Sequence, residues 1–264
     1  MTLEFDLHVR AQWTGKADVY ERSFASLCAG AAPLLLDAAE VTTGTKVLDV
    51  GTGPGTVARL AVERRASVAA VDAERSMVEK AREYVPDVRL GTLPDLPFLD
   101  GVFDAAVANF VINHVGDPGA SVRGMRRVVR PGGTVAVTIW ATSPSSHLID
   151  EAIRAAGVEI PAPPRPDAER DFNRTEEGFA ALLASTGLSD VRASTPSWTH
   201  RVDPEVWWSG PAGGIGVLGT LLAAQPAGVL AKIKQEYDRI AADRLDEQGM
   251  LAFPVAAYLA SGRV

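Results

Sequence analysis

A glycine-rich turn, followed about 20 positions later by a carboxylate, is the feature of this chain best placed to hold a nucleoside. The turn is the run VLDVGTGPG at 47–55. Glycine there lets the backbone turn tightly and approach a ligand where a Cβ would collide. The N-terminus of the helix that follows adds free N–H groups. Gly51 and Gly53 fit the first two places of the dinucleotide fingerprint G-x-G-x-x-G, but Thr56 holds the third and Gly55 comes one position early. A dinucleotide or another nucleoside cofactor fits this turn, and so does a tight turn with no ligand. Asp72 ends the second strand-like run, where a carboxylate can accept from both ribose hydroxyls. It also precedes a helical segment, so a helix cap is the plainer role. Asn109 closes the fourth strand at the sheet's ligand end or caps a turn there. His114 follows in Asn113-His114-Val115-Gly116-Asp117. An imidazole there is suited to proton transfer near neutral pH, and a structural or ligand-lining histidine is the alternative. His147, His200 and His8 are weaker candidates, and no metal site is expected. Asp104 opens the fourth strand at the opposite end of the sheet and reads as structural.

The elements that must position these residues alternate up to about residue 140. Strands are expected at Lys46–Val50, 67–71, Asp87–Leu90, 103–110 and 134–140, and helices at 56–65, 74–84 and 118–129, the last stopped by Pro131-Gly132-Gly133. Near-continuous apolar strands separated by helices imply a parallel sheet covered on both faces. Further on, 160–166 is a proline-rich loop and 175–185 a helix capped by Thr175. A strand is expected at 191–197, helices over 204–245 with a break at 210–219, and a last strand at 251–262. Residues 13–29 read as helical, with Trp13, Tyr20, Phe24 and Leu27 on one stripe that suits core packing. The expected layout is one domain over 1–264. It comprises a helical cover at 1–44, a ligand-binding core at 45–141, and a variable half at 142–264 with a helical insertion about 204–246.

Bulk properties narrow the classes. The chain has 264 residues, 47% apolar and 22% charged, which is ordinary globular composition. No apolar run approaches membrane-spanning length, and the first ten residues lack a secretory pattern. Cys28 is the single cysteine, which excludes an internal disulfide and fits a cytoplasmic home. A net charge of −7 argues against nucleic acid. The cluster Arg123, Arg126, Arg127 and Arg130 reads as the solvated face and end of a helix.

In order, the run at 47–55, Val71-Asp72, Leu96-Pro97-Phe98, Phe103-Asp104 and Arg127-Val128-Val129-Arg130-Pro131-Gly132-Gly133 resemble the class I S-adenosylmethionine-dependent methyltransferases. The ubiquinone/menaquinone-biosynthesis-like subgroup is the nearest in look. The match covers about 18–140. Trp207-Trp208 and the final run at 257–263 are similar to the loosely related bacterial small-molecule enzymes. The resemblance implies an α/β fold: a Rossmann-like, mostly parallel seven-stranded sheet with helices on both faces, an N-terminal helical cover and a helical insertion before the last strand. It implies S-adenosylmethionine as cofactor. Gly51, Thr52 and Gly53 would pass under its methionine part, with Asp49 steadying the turn. Asp72 would take the ribose hydroxyls, and Ala73 and Met77 would lie against the adenine. Thr92-Leu93 stands where Asp-Ala is common in the family, a departure at the adenine amino group. Asn109 would face the methionine end, and Tyr20 would reach the methionine carboxylate from a helix lying across the pocket.

Methyl transfer asks mainly for alignment and exclusion of water, and a base only where the accepting atom carries a proton. His114 is the candidate base, or lines the cofactor. Trp13, Trp140, Trp207 and Trp208 would wall an aromatic acceptor pocket, or fill core. The acceptor is expected to be a small molecule, a secondary metabolite, methylated on O, N or C, by a monomer or homodimer without membrane insertion. A nicotinamide-dependent oxidoreductase is disfavoured by Thr56 and by the lack of a Tyr-x-x-x-Lys pair. A nucleic-acid methyltransferase is disfavoured because Asn109-Phe110-Val111-Ile112 lacks the prolines of the base-amino enzymes. A non-catalytic cofactor-binding protein on the same fold is the remaining alternative.

Overall fold

The structure is a computed structural model and describes residues 2–142, 145–162 and 167–264, with side chains at 5–142, 148–162 and 167–264. The side chain of His147 and most of the proline-rich loop at 160–166 lie outside the described residues. Five strands form the parallel part of one sheet: β1 (Lys46–Val50), β2 (Ser67–Asp72), β3 (Asp87–Leu90), β4 (Phe103–Asn109) and β5 (Val129–Thr142). Then come β6 (Ser189–Ser194), β7 (Ser197–Val202) and β8 (Leu251–Arg263). The full order is β3-β2-β1-β4-β5-β8-β6, with β7 also on β8, and β8 runs antiparallel to its neighbours.

Helices cover both faces. In chain order they are α1 (Thr2–Ala11), α2 (Ala17–Ser23), α3 (Ala25–Ala29), α4 (Ala32–Ala38), α5 (Thr56–Glu63), α6 (Arg75–Ala81), α7 (Pro118–Val128), α8 (Ser145–Ala155), α9 (Glu176–Ser185), α10 (Pro204–Ala212), α11 (Gly216–Ala223) and α12 (Ala227–Ala242). Successive strand residues point to opposite faces. Leu48, Ala106 and Val135 therefore join Met125 of α7 and Phe179 of α9 on one side. Val47, Ala105 and Ala136 join Leu36 of α4 and Val57 of α5 on the other. A separate cluster ties Ile153 of α8, Trp207 of α10, Tyr237 of α12 and Val255 of β8 together. No helix among the described residues is long and apolar enough to cross a membrane.

The fold is the expected α/β class, with corrections. The sheet has eight strands rather than seven. The single strand expected at 191–197 is two, β6 and β7, which pair successive stretches of one edge of β8. Pro196 lies between them, and proline cannot donate to a ladder. The expected helix at 13–29 is α2 and α3, which meet at Phe24, and α1 precedes them. Pro131-Gly132-Gly133 does not stop α7, because that helix passes into β5 at Val129. The break in the insertion falls at 213–215, with a second at 224–226. The arginine cluster is partly structural: Arg127 donates to the carbonyls of Phe98 and Leu96 at 2.8 Å each, and Arg130 pairs with Asp104 at 2.6 Å. Asp104 also accepts from the amide of Lys46 at 2.7 Å, which ties the opposite end of the sheet together.

Candidate functional site

β1 and β4 lie side by side, and the chain leaves them toward opposite edges of the sheet. Their carboxyl ends form the switch point at which open α/β sheets hold ligands. A cavity of about 740 Å³ opens there.

The glycine turn lines it. Gly51 and Gly53 adopt φ of +67° and +56°, a region that side chains disfavour. A Cβ on Gly51 would lie 2.5 Å from Val111 Cγ2, whereas one on Gly53 would make only an ordinary contact, 3.8 Å from the ring of Tyr20. The amides of Gly51 and Thr52 donate to the carbonyl of Val71 at 2.8 and 3.1 Å, fastening the turn to β2. Behind it, Asp49 Oδ2 accepts from Thr52 Oγ1 at 2.7 Å and from the Ala58 amide at 3.0 Å. Asp49 is buried, and burial pushes its carboxyl up to about 7. Asp49 and Thr52 therefore support the turn and do not themselves line the cavity.

Asp72 faces the turn from the end of β2. Its Oδ2 accepts from the Gly53 amide at 2.8 Å, and its Oδ1 from the Glu74 amide at 2.9 Å. Burial pushes its carboxyl up to about 6. The cap of α6 is Glu74, which accepts from the amides of Ser76 and Met77 at 2.7 and 3.2 Å. The alternative role of Asp72 as helix cap is thus taken by another residue. Ala73, Met77, Thr92 and Leu93 line the wall beyond Asp72.

Asn109 lines the cavity with both ends of its amide engaged. Its Oδ1 accepts from Thr138 Oγ1 at 2.7 Å, and its Nδ2 donates to the carbonyl of Cys28 at 3.0 Å. Tyr20 donates to Cys28 Sγ at 3.1 Å, and burial raises its pKa well above the usual value. Tyr20 meets Trp13 edge-on at 5.7 Å between ring centres, and Trp13 meets His114 in the same way at 5.5 Å. Desolvation pulls the imidazole of His114 down to about 4, so it is neutral at neutral pH. That is a poorer proton acceptor than the sequence suggests.

Phe110 also belongs to the site. It carries φ +59°, unusual for a bulky residue, and its amide donates to Thr138 O and Oγ1 at 3.2 and 3.0 Å. The ring stacks on Trp140 at 3.6 Å and 11°. Both line the cavity with Phe5, Val9, Phe24 and Leu218. Phe110's place directly after the strand-end Asn109 was the available signal. For Phe5 and Leu218 there was none. Trp13 and Trp140 lie on the cavity wall, but Trp207 and Trp208 do not. α10 turns them into the insertion's core, where Trp207 packs between Phe24 at 5.2 Å and Phe253 at 4.7 Å, and Trp208 meets Tyr237 at 5.0 Å. His200 is buried beside Trp207, and His8 is exposed. Among the described residues no group of three or more His, Cys, Asp or Glu is arranged to hold a metal.

A nucleotide-type cradle at the switch point of this sheet defines an α/β enzyme fold with a nucleoside-bearing cofactor. A methyltransferase-domain family matches residues 48–137. The demethylmenaquinone methyltransferase of Paenarthrobacter aurescens is 32% identical over 174 residues, covering 60% of this chain and 68% of that protein. The malonyl-[acyl-carrier protein] O-methyltransferase of Pseudescherichia vulneris is 32% identical over 143 residues, covering 53% and 57%. The chain spans about half the length, or less, of several curated relatives it matches, 31%, 46% and 45% among them. The YcgJ protein of Bacillus subtilis shares the fold, with a TM-score of 0.54 at 20% identity over 89% of this chain and 97% of that one. The chain belongs to the class I S-adenosylmethionine-dependent methyltransferases, of the ubiquinone/menaquinone-like type, and its cofactor is S-adenosylmethionine.

Proposed function

We propose that this protein transfers the methyl group of S-adenosylmethionine to an O, N or C atom of a small molecule with an apolar, aromatic body. The observation that carries this reading is one continuous cavity. The glycine turn and Asp72 line it together with Phe110, Trp140, Trp13 and Leu218. Bound there, the cofactor supplies a methyl group already activated on a sulfonium. The chain's own residues fit it. Gly53 lines the cavity without a side chain and leaves room for the methionine part, and Asp72 is available to the ribose through lone pairs beyond the two held by backbone amides. Ala73, Met77, Thr92 and Leu93 are assigned to the adenine, and Tyr20 and Asn109 to the methionine end. His114 is assigned as a neutral lining residue.

The aromatic wall supplies contact area and keeps water away from the reacting atoms. The relatives' names point to a quinone precursor and a carrier-bound malonyl group. The apolar aromatic wall favours a ring-bearing acceptor, of the secondary-metabolite kind. The acidic net charge fits a small molecule rather than a polyanion, and the single cysteine fits the cytoplasm. The proposed working form is a monomer or homodimer. Calorimetry of the purified chain with S-adenosylhomocysteine tests the cofactor role, with micromolar binding expected. Transfer of labelled methyl to a panel of phenols, naphthoquinols and aromatic carboxylic acids tests the acceptor. Binding without transfer to any ring-bearing acceptor refutes the acceptor class, and no binding at all refutes the whole proposal.

A further inference from the structure

We infer that Arg10 forms a carboxylate-recognising subsite in the cavity, an inference that rests on the methyl-donor reading above. α1 turns one face to the cavity, with Phe5, Asp6, Val9 and Arg10 on its wall and Trp13 just beyond the helix end. Two of these are fixed at the exit of β4. Asp6 Oδ1 accepts from the Gly116 amide at 2.7 Å, and Trp13 packs edge-on against His114. Arg10 lies one helical turn after Asp6 and three residues before Trp13, so its position is bracketed by two anchors.

Asp6, four residues earlier on the helix, is the natural ion-pair partner of Arg10. The two do not pair, and Asp6 is held by Gly116 instead. Among the described residues no hydrogen bond or ion pair engages the Arg10 guanidinium. It is also the only arginine or lysine among the described residues that line the cavity, in a chain whose acidic residues outnumber its basic ones, 33 to 26. Of the carboxylates that line the cavity, Asp72 holds the amides of Gly53 and Glu74, and Glu74 holds the amides that open α6. A guanidinium presents a planar fork of donors matched to a carboxylate, and in a mostly apolar wall that pairing is stronger than in water. The carboxylate has two sources, the amino-acid end of the cofactor or an acid group on the acceptor.

The test compares wild type with Arg10→Gln in the full chain by calorimetry. S-adenosylhomocysteine carries the amino-acid carboxylate and 5′-methylthioadenosine lacks it. The ratio of the two affinities within one variant is insensitive to the fraction folded. If the cofactor supplies the carboxylate, Arg10→Gln lowers that ratio by about 10- to 100-fold. If the acceptor supplies it, that ratio holds. Then 1-naphthoate, titrated with S-adenosylhomocysteine bound, loses the same factor relative to 1-naphthamide. Both ratios equal to wild type overturn the inference. Wild type binding neither nucleoside sinks the donor reading instead, and the naphthoate-to-naphthamide ratio without nucleoside then decides Arg10 alone.

Discussion

Replacing Asp72 by asparagine removes one charge from the cavity wall at nearly constant shape, and its effect on cofactor binding can be worked from the geometry. Asp72 holds the Gly53 and Glu74 amides at 2.8 and 2.9 Å, and burial pushes its carboxyl up to about 6 in the free protein. In the proposed binding mode ribose hydroxyls donate to the ionised form, so binding should favour proton loss and affinity should rise with pH. At pH 7.5 nearly every molecule is ionised and at pH 5 about one in ten, which weakens binding about tenfold over that interval, or ~1.4 kcal/mol. At pH 7.5 Asp72→Asn forfeits hydrogen bonds to a charged acceptor, ~1.5–3 kcal/mol or about 10- to 150-fold in affinity. It also turns an amide nitrogen toward one of the two backbone donors. Asp49, pushed up to about 7 by burial, titrates in the same range but sits behind the turn on Thr52 and Ala58, and it persists in the variant. The slope that Asp72→Asn abolishes therefore belongs to Asp72. Calorimetry with S-adenosylhomocysteine at pH 6, in buffers of different ionisation enthalpy, should record about half a proton released to solvent by this group in wild type. A variant that binds as tightly as wild type at pH 7.5, with an unchanged pH slope, refutes the ribose assignment.

Three further outcomes concern residues that line the same cavity. His114, pulled down to about 4, is neutral from pH 5.5 to 8, so kcat should show no imidazole limb there. A limb near 6.5 that disappears in His114→Gln would restore the residue as general base. Gly51→Ala, with φ +67° and a Cβ 2.5 Å from Val111 Cγ2, should cost ~1–3 kcal/mol in unfolding free energy, part of it recovered by Val111→Ala. Gly53→Ala meets only the Tyr20 ring, at an ordinary 3.8 Å, and should cost ~1 kcal/mol while weakening S-adenosylhomocysteine more than Gly51→Ala does per unit of stability lost. Equal behaviour of the two variants in both measurements contradicts their assigned places in the turn.

What the sequence made legible was chemistry written in the backbone. The turn at 47–55 needs glycine for its dihedral angles, and Thr175 caps α9 because a hydroxyl is needed there, accepting from the Gly178 amide at 3.0 Å. Such requirements are local, and β1 likewise falls where its apolar run places it. What stayed hidden depends on which face an element turns inward. The first residues alternate apolar and polar through Leu3, Phe5, Leu7 and Val9, a period that suits a strand, yet α1 is a helix with Leu7 55% exposed. Tertiary contact at Gly116 overrides that pattern. Trp207-Trp208 read equally as pocket or core, and only the packing of α10 against α12 and β8 decides for core. Phe5 and Leu218 stand more than 200 positions apart, yet share one wall. The side of the cavity proposed for the cofactor is thus built mainly from residues at strand ends. The side proposed for the acceptor is assembled from α1, α3, α11 and the end of β5, whose meeting is a property of the folded chain. A substitution in α1 or α11 can therefore reshape acceptor choice while the glycine turn and Asp72 stay as they are, which is how one cofactor cradle can serve many acceptors.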